Sequence, residues 1–346
     1  MTSPLLLNRR TALKVGIGTG IVSLLGLRNA AAEDSTSAGT PTSATQQPVT
    51  PRTDPVPLVD ARFPCEIAED IWIIPDRRIF LVPNIGIVVG KKAALIIDCG
   101  LGPQCGKQVI EAAEKIAPGR HLILSQTHAH PEHVFGALPF KNRAQIFLNR
   151  QQNEYLVKKG PVLLQLFRKR FGDAERELLA DAEVVPATDT YDGDRETLDL
   201  GGRQVELHAI GTAHSPGDQV IWLPKEKILF AGDLIEERMF PIVPFLPPTI
   251  TKADIDVAKW VEALSFMNDE MRPSMIVPGH GNLGQAEIAR ALLVYLTDVQ
   301  MRVRRLADGG NIDTIVSELK PQIKTTYSTW EHDRFIEPAV RYFAQT

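Results

Sequence analysis

Four side chains suited to binding a metal fall within six residues: His128, His130, Glu132 and His133, in the run Thr127-His128-Ala129-His130-Pro131-Glu132-His133. Three of the chain's eight histidines are here. Imidazole nitrogen and carboxylate oxygen are the ligands of zinc, iron and manganese hydrolytic centres. At the spacing His-x-His-x-Glu-His they meet at one point only if the backbone bends so that alternate side chains converge. A histidine-rich polar loop explains one histidine adequately. It explains three with a carboxylate poorly.

Three more ligand candidates each follow a short apolar run. His214 lies in Gly211-Thr212-Ala213-His214-Ser215-Pro216-Gly217-Asp218, after Val205–Ile210. Asp233 ends Ile228-Leu229-Phe230-Ala231-Gly232-Asp233, and His280 ends Met275-Ile276-Val277-Pro278-Gly279-His280. The first motif follows His121-Leu122-Ile123-Leu124-Ser125-Gln126, which reads as a buried strand. Glycine or proline flanks each candidate and permits backbone shapes that other residues resist. Loops at the ends of buried strands are where a rigid sheet presents chemistry. The other histidines, His121, His208 and His332, read as ordinary strand or surface residues.

The ordered set His128, His130, Glu132, His133, His214, Asp233 and His280 resembles the metallo-β-lactamase superfamily over roughly residues 66–283. That family's usual signature is His-x-His-x-Asp-His, then a distant His, an Asp and a final His. The turn Leu95-Ile96-Ile97-Asp98-Cys99-Gly100 is similar to its early Asp-x-Gly turn, whose aspartate supports the site from behind. The resemblance implies an αββα sandwich of the α/β class, a helical insertion and C-terminal helices. It implies that His128, His130 and His214 hold a first metal, and that Glu132, His133 and His280 hold a second. Asp233 would bridge the two. Glu132 departs from the pattern by one methylene, ~1.5 Å. Its carboxylate is therefore expected either to bind at a different angle, to bind through water, or to carry protons beside a weaker second site.

The first 32 residues read as a targeting segment. Arg9-Arg10 precedes an apolar run, Val15–Leu27, that is shorter than the roughly 20 residues a spanning helix needs. Ala30-Ala31-Ala32 offers a cleavage site. The twin arginine points to the Tat export machinery, a periplasmic location and no stable membrane span after cleavage; an uncleaved anchor is the alternative. Residues 33–56, mostly Ser, Thr, Ala, Pro, Gln and Asp, read as a disordered tether. Residues 57–346 are long enough for one layered domain. Without Arg9, Arg10, Lys14 and Arg28 the chain carries 34 basic and 42 acidic residues, about −8 net. No basic stripe with interleaved aromatics is visible, which argues against nucleic acid. Cys65, Cys99 and Cys105 are an odd number, so at least one thiol is unpaired. Cys99 reads as a small buried residue and not as a ligand.

Strands are expected at 67–74, 79–81, 85–89 and 93–97, and a helix over 104–117, where Val109, Ala112, Ala113 and Ile116 share a face. Residues 150–180 have helical periodicity and many charges, and suit either a lid over the site or an amphipathic surface pair. A β-rich stretch from 196 to 232 has turns at Gly201-Gly202 and Pro224–Lys227. Helices are expected over 252–268 and 285–307, and in the tail from 312 to 345. Four prolines between 241 and 248 forbid regular structure after Asp233. Phe240, Phe245 and Leu246 there are candidates for a substrate wall or for a core-packing connector.

No Ser or Cys nucleophile has a matched base, so the expected chemistry is metal-ion catalysis. Zinc, one ion or two, would activate a hydroxide against an ester, lactone, thioester or amide of a small molecule, with Asp233 and Glu132 as catalytic carboxylates. Iron or manganese are other candidate ions. The rival readings are a single-iron sulfur dioxygenase of the same fold and a metal-bound protein without catalysis.

Overall fold

Strands three to nine residues long, most of them aliphatic, build two sheets whose faces alternate between two different cores. The computed structural model describes residues 55–245, 254–306 and 310–346. The first sheet runs in chain order: β1 (Cys65–Ala68), β2 (Ile71–Ile74), β3 (Ile85–Val89), β4 (Ala93–Ile97), β5 (His121–Ser125), β6 (Gln145–Asn149) and β7 (Asp189–Tyr191). Its first four strands are antiparallel and β4 to β7 are parallel. The second comprises β8 (Arg195–Asp199), β9 (Gln204–Gly211), β10 (Asp218–Leu223), β11 (Ile228–Glu236) and β12 (Met275–His280), in the order β12-β11-β10-β9-β8. Here only β11 and β12 pair in parallel.

Alternation along each strand assigns the layers. Leu95 and Ile97 of β4 join Ile221, Leu223, Phe230 and Val277 in a core between the sheets. Ala94 and Ile96 face the other way, with Val109 and Ala113 of α1 (Pro103–Ile116). On the second sheet Val220, Leu229 and Ala231 turn outward to meet Trp260, Leu292 and Ile323. Those three belong to α5 (Val257–Phe266), α6 (Ala286–Leu306) and α7 (Ile312–Thr326), with α8 (Ile336–Phe343) in the same cluster. The remaining helices are α2 (Pro131–Val134), α3 (Arg150–Arg170) and α4 (Asp173–Leu178). Helix, sheet, sheet, helix is the αββα sandwich, with the insertion as α3 and α4 and the tail as α7 and α8.

Some boundaries differ from expectation. The apolar stretch 67–74 is a hairpin and not one strand, because Asp70 takes φ 58° and reverses the chain. Residues 79–81 form no strand: Arg77, Arg78 and Leu81 all have positive φ, which breaks the extended backbone. α5 starts at Val257, where the Asp256 side chain accepts from Lys259 N–H and caps it. The tail helices pack on their own chain's core. All three cysteines are free, with Cys65 exposed and the others buried. The leader (1–32), most of the tether and Leu246 lie outside the described residues. Among the described residues no helix is long and apolar enough to cross a membrane.

The Phe230 ring lies across Gly86 of β3, where a Cβ would meet its Cε1 at 2.5 Å. This contact joins the two sheets directly, and Phe230 is 2% exposed. Phe230→Ala should lower unfolding free energy by about 3–5 kcal/mol, read by denaturant melts. A loss below about 1 kcal/mol would contradict this packing.

Candidate metal centre

The four strands expected to lead to ligands converge at one edge of the sandwich. β5 ends at Ser125; His128 and His130 lie in the turn after it, and Glu132 and His133 in α2. His130 is the N-cap of α2 with Pro131 at its first position, a start whose φ is already helical. His214 sits in the loop from β9 to β10, and His280 ends β12. Asp233 lies inside β11, which runs on to Glu236. Gly232 takes φ 55° and the pairing with β12 shifts there, a bulge that aims Asp233 inward. A Cβ on Gly279 would lie 1.9 Å from Asp233 Oδ1, so only glycine lets β12 come this close.

Two groups of possible ligand atoms result, each within 4.8 Å of one another: His128, His130, His214 and Asp233, then Glu132, His133, Asp233 and His280. Asp233 belongs to both. Its Oδ2 is 3.4 Å from His128 Nε2, and its Oδ1 is 3.3 Å from His133 Nε2 and 3.6 Å from His280 Nε2. Glu132 Oε1 is 3.9 Å from His280 Nε2. All seven side chains are buried. His128 Nε2, His133 Nε2, His214 Nδ1, Glu132 Oε2 and Asp233 Oδ1 have no hydrogen-bond partner. Buried polar atoms are rarely left so, and the unpartnered nitrogens of His128 and His133 facing Asp233 fit a bound cation.

Surrounding groups fix the direction of each ring. Asp98 accepts from Thr127 N–H at 2.7 Å and from Thr127 Oγ1 at 2.9 Å, and its Oδ2 is 2.9 Å from His133 Nδ1. His280 Nδ1 donates to Val82 O at 2.9 Å. Both histidines therefore turn Nε2 lone pairs inward. Asp218 holds the His214 loop by accepting from His214 N–H at 2.6 Å, from Ser215 N–H at 2.9 Å and from the Ser215 Oγ hydroxyl at 2.5 Å. Burial pushes the Asp218 carboxyl up to about 6. Asp76 accepts from Gly281 N–H at 2.7 Å, and Asn84 Nδ2 donates to Pro278 O and Gly281 O, which secures the His280 turn.

The electrostatics follow from burial and mutual proximity. Burial, then neighbouring His214 and His128, holds His130 well below the usual imidazole range. Burial and His128 bring His214 down to about 3. Both rings are thus neutral, as ligation requires. Burial opposes charge on His133, but Asp233 and Asp98 push it well above its ordinary value. Burial likewise opposes ionisation of Asp233, yet His133, His280 and His128 hold its carboxyl well below the usual range.

Residues 78–280 match the family model of the metallo-beta-lactamase superfamily. The chain belongs to that superfamily. It is 24% identical over 239 residues to a metallo-beta-lactamase type 2 of Bacillus sp. (strain 170), spanning 68% of this chain and 80% of the relative. It is 28% identical over 215 residues to an acyl-coenzyme A thioesterase of Gallus gallus, spanning 59% and 74%. Among solved structures, a double mutant of the sec-alkyl sulfatase PisA1 aligns with a TM-score of 0.61 at 14% identity, covering 82% of this chain and 49% of the sulfatase. A metallo-beta-lactamase from Pontibacter korlensis aligns at 0.51 and 19%, covering 67% and 96%. These structural likenesses establish the fold.

Within this superfamily fold, every residue expected at the metals is at the centre, with Asp98 directly behind it. The substrate-wall candidates divide. Phe245 stands with its ring 4.6 Å from His130, whereas Phe240 is 1% exposed and packs on Tyr295 and Trp330. Phe240 is largely the core connector. Helix α3 reaches the site through Phe167, whose ring is 5.4 Å from Phe245, while its Leu163 and Leu164 join the core. Sequence reasoning missed Asp218, although the Ser-Pro-Gly-Asp turn signals a carboxylate folding back on its own loop. It also missed Glu236, a buried carboxyl that burial, Asp233 and Glu132 push well above its usual range. His332, read as an ordinary surface residue, lines the cleft beside His280 and Glu132. No local pattern marks either residue.

Asp98→Ala should weaken metal affinity about 10–100-fold, because His133 loses the partner that sets its tautomer. Competition against a chelator of known affinity measures this, and unchanged affinity would remove Asp98 from the support of the site.

Proposed function

We propose that this chain is an exported zinc hydrolase acting on an ester, lactone, thioester or amide. The observation that carries this reading is the single buried carboxylate, Asp233, shared by two sets of ligand atoms with unpartnered lone pairs. His128, His130 and His214 would hold one ion, and Glu132, His133 and His280 the other. Ions held this way supply an acidified water near neutral pH and polarise the scissile carbonyl. Asp233, kept ionised by its histidines, takes the proton of the attacking water and returns it to the leaving atom. The hydroxyl ends on the acyl carbon, and the acyl bond to oxygen, sulfur or nitrogen breaks. The relatives' named activities include a β-lactamase and a thioesterase, so the fold leaves the substrate open.

Glu132 has the reach of a second-site ligand, with Oε1 near His280 and Oε2 without a partner. In His130→Ala, bound metal and nearly all hydrolysis should disappear. Glu132→Gln should lose the second ion and keep the first, since a neutral amide oxygen binds a dication less well than a carboxylate. Counting ions per chain decides; full metal content in His130→Ala sinks the assignment. Stoichiometric iron with oxygen uptake and no hydrolysis would replace it with the dioxygenase reading.

Export to the periplasm rests on Arg9-Arg10, the apolar run to Leu27 and Ala30–Ala32. Replacing both arginines with lysine should leave an unprocessed precursor in the cytoplasm. Normal export of that variant would point to another route.

A further inference from the structure

Asp233 and Glu132 are not the only carboxyls at the second ligand group: Glu236 stands beside them. β11 ends on Glu236, and the register sets it next to His280 of β12, after the irregularity that follows Gly232. Its side chain is 6% exposed, yet it makes no hydrogen bond or ion pair with any described residue. A carboxyl buried this far is rarely left without a partner. Glu236 is outside the set of atoms close enough to share the second ion, so it is not itself a ligand.

Glu236, Glu132 and His280 line a cleft whose free volume is about 20 Å³. That is room for about one water and nothing larger. Among the described residues lining it are neither Asp233 nor His133, so the space lies beside the ligand group and not within it. The C-terminal tail closes the outer end. Glu331 N–H donates to Arg238 O at 2.9 Å, and Phe240 N–H donates to Glu331 O at 3.0 Å. Arg78 adds an ion pair, its Nε 2.8 Å from Glu331 Oε1. This clip binds the tail to the segment after Asp233, and His332 and Phe335 then complete the lining with Leu81, Phe240 and Ile242. Arg334 lies over the Phe80 and Phe335 rings at 4.3 and 4.8 Å. Burial and Arg334 bring His332 down to about 4, so its ring is neutral near pH 7 and offers the space a third polar contact. A buried water typically makes about three.

We propose that one ordered water fills this space and joins Glu236 to Glu132, so that Glu236 positions Glu132 for the second ion. Glu132 needs such a contact, because its Oε2 is buried without a protein partner and ligating carboxylates are held by hydrogen bonds from behind. The contact stands in either protonation state of Glu236. Burial, Asp233 and Glu132 push its carboxyl up, and a dication in the adjoining ligand group opposes that push. As an acid it donates to the water, and as a carboxylate it accepts from it. Glu236 is thus a positioning residue that acts through Glu132. Only the effect on metal affinity rests on the two-ion reading above.

The test uses the full chain and reads zinc affinity and structure, not turnover. Stepwise zinc affinities come from competition against a chelator of known affinity. Glu236→Leu, which keeps the bulk and removes the bonding, should weaken the second ion about 10–100-fold and leave the first unchanged. Glu236→Gln, which still bonds a water, should recover most of that loss. A crystal structure of the zinc-loaded chain should place a water ~3 Å from both carboxyls. Unchanged affinity for the second ion in Glu236→Leu overturns the inference. So does equal weakening of both ions together with a lower melting temperature of the metal-free chain, the mark of a merely structural role. Glu236→Gln as poor as Glu236→Leu, or a Glu236 oxygen on the ion itself at ~2.0–2.2 Å, also overturns it. A chain that takes a single zinc and keeps the water between Glu236 and Glu132 upholds the contact and removes the two-ion part of the hydrolase reading instead.

Discussion

Asp233 is a carboxylate at 2% exposure, surrounded by four histidines and facing Glu132 across the ring of His280. An isolated buried charge costs several kcal/mol and is tolerated only when paired. His133, His280 and His128 hold its carboxyl ionised, while burial and mutual repulsion keep His130 and His214 neutral. Their lone pairs then add partial negative charge to a volume that already holds carboxylates. A cation resolves all of this at once, and the rest of the structure serves to hold its ligands in place.

The sandwich supplies that rigidity because His128, His130, Asp233 and His280 lie on or just after strands buried on both faces. β4, β5, β11 and β12 are apolar on either side, so a one-residue slip would bring no polar face to water and would break the packing of two cores. Their ends are therefore fixed points. Gly279 brings β12 within contact of Asp233, and Asp98 couples the end of β4 to the turn after β5. The helical tail extends the same logic. α7 and α8 pack on the outer core and carry the Glu331–His332 clip to the cleft.

The metal ligands were legible in the sequence because their chemistry is carried by residue type and spacing, and because each stands just after an apolar run. The layers were legible for a similar reason, since alternation and strand length are local properties. What could not be read depends on contacts between distant segments. Phe240 reads as a cleft residue by its nearness to Asp233 in the chain and does line the cleft, but Tyr295 and Trp330 from the tail bury most of its ring. His332 is 52 positions beyond His280 and has no motif around it, so only tertiary packing returns it to the site. The failed strand at 79–81 has the same origin. Its apolar residues are there to line a cleft, with Arg78 turned to bind Glu237 and Glu331.

Counting the metal ions that protect the chain tests the central claim most directly. Protein purified under metal-free conditions would be titrated with zinc while ion content, thermal stability and ester hydrolysis are followed together. The cation-centred account predicts that stability and hydrolysis rise with the first one or two equivalents, and that a chelator reverses both, since ligand binding is coupled to the folded state. A chain that hydrolyses esters at full rate with no bound metal, and whose melting is indifferent to zinc, would contradict it.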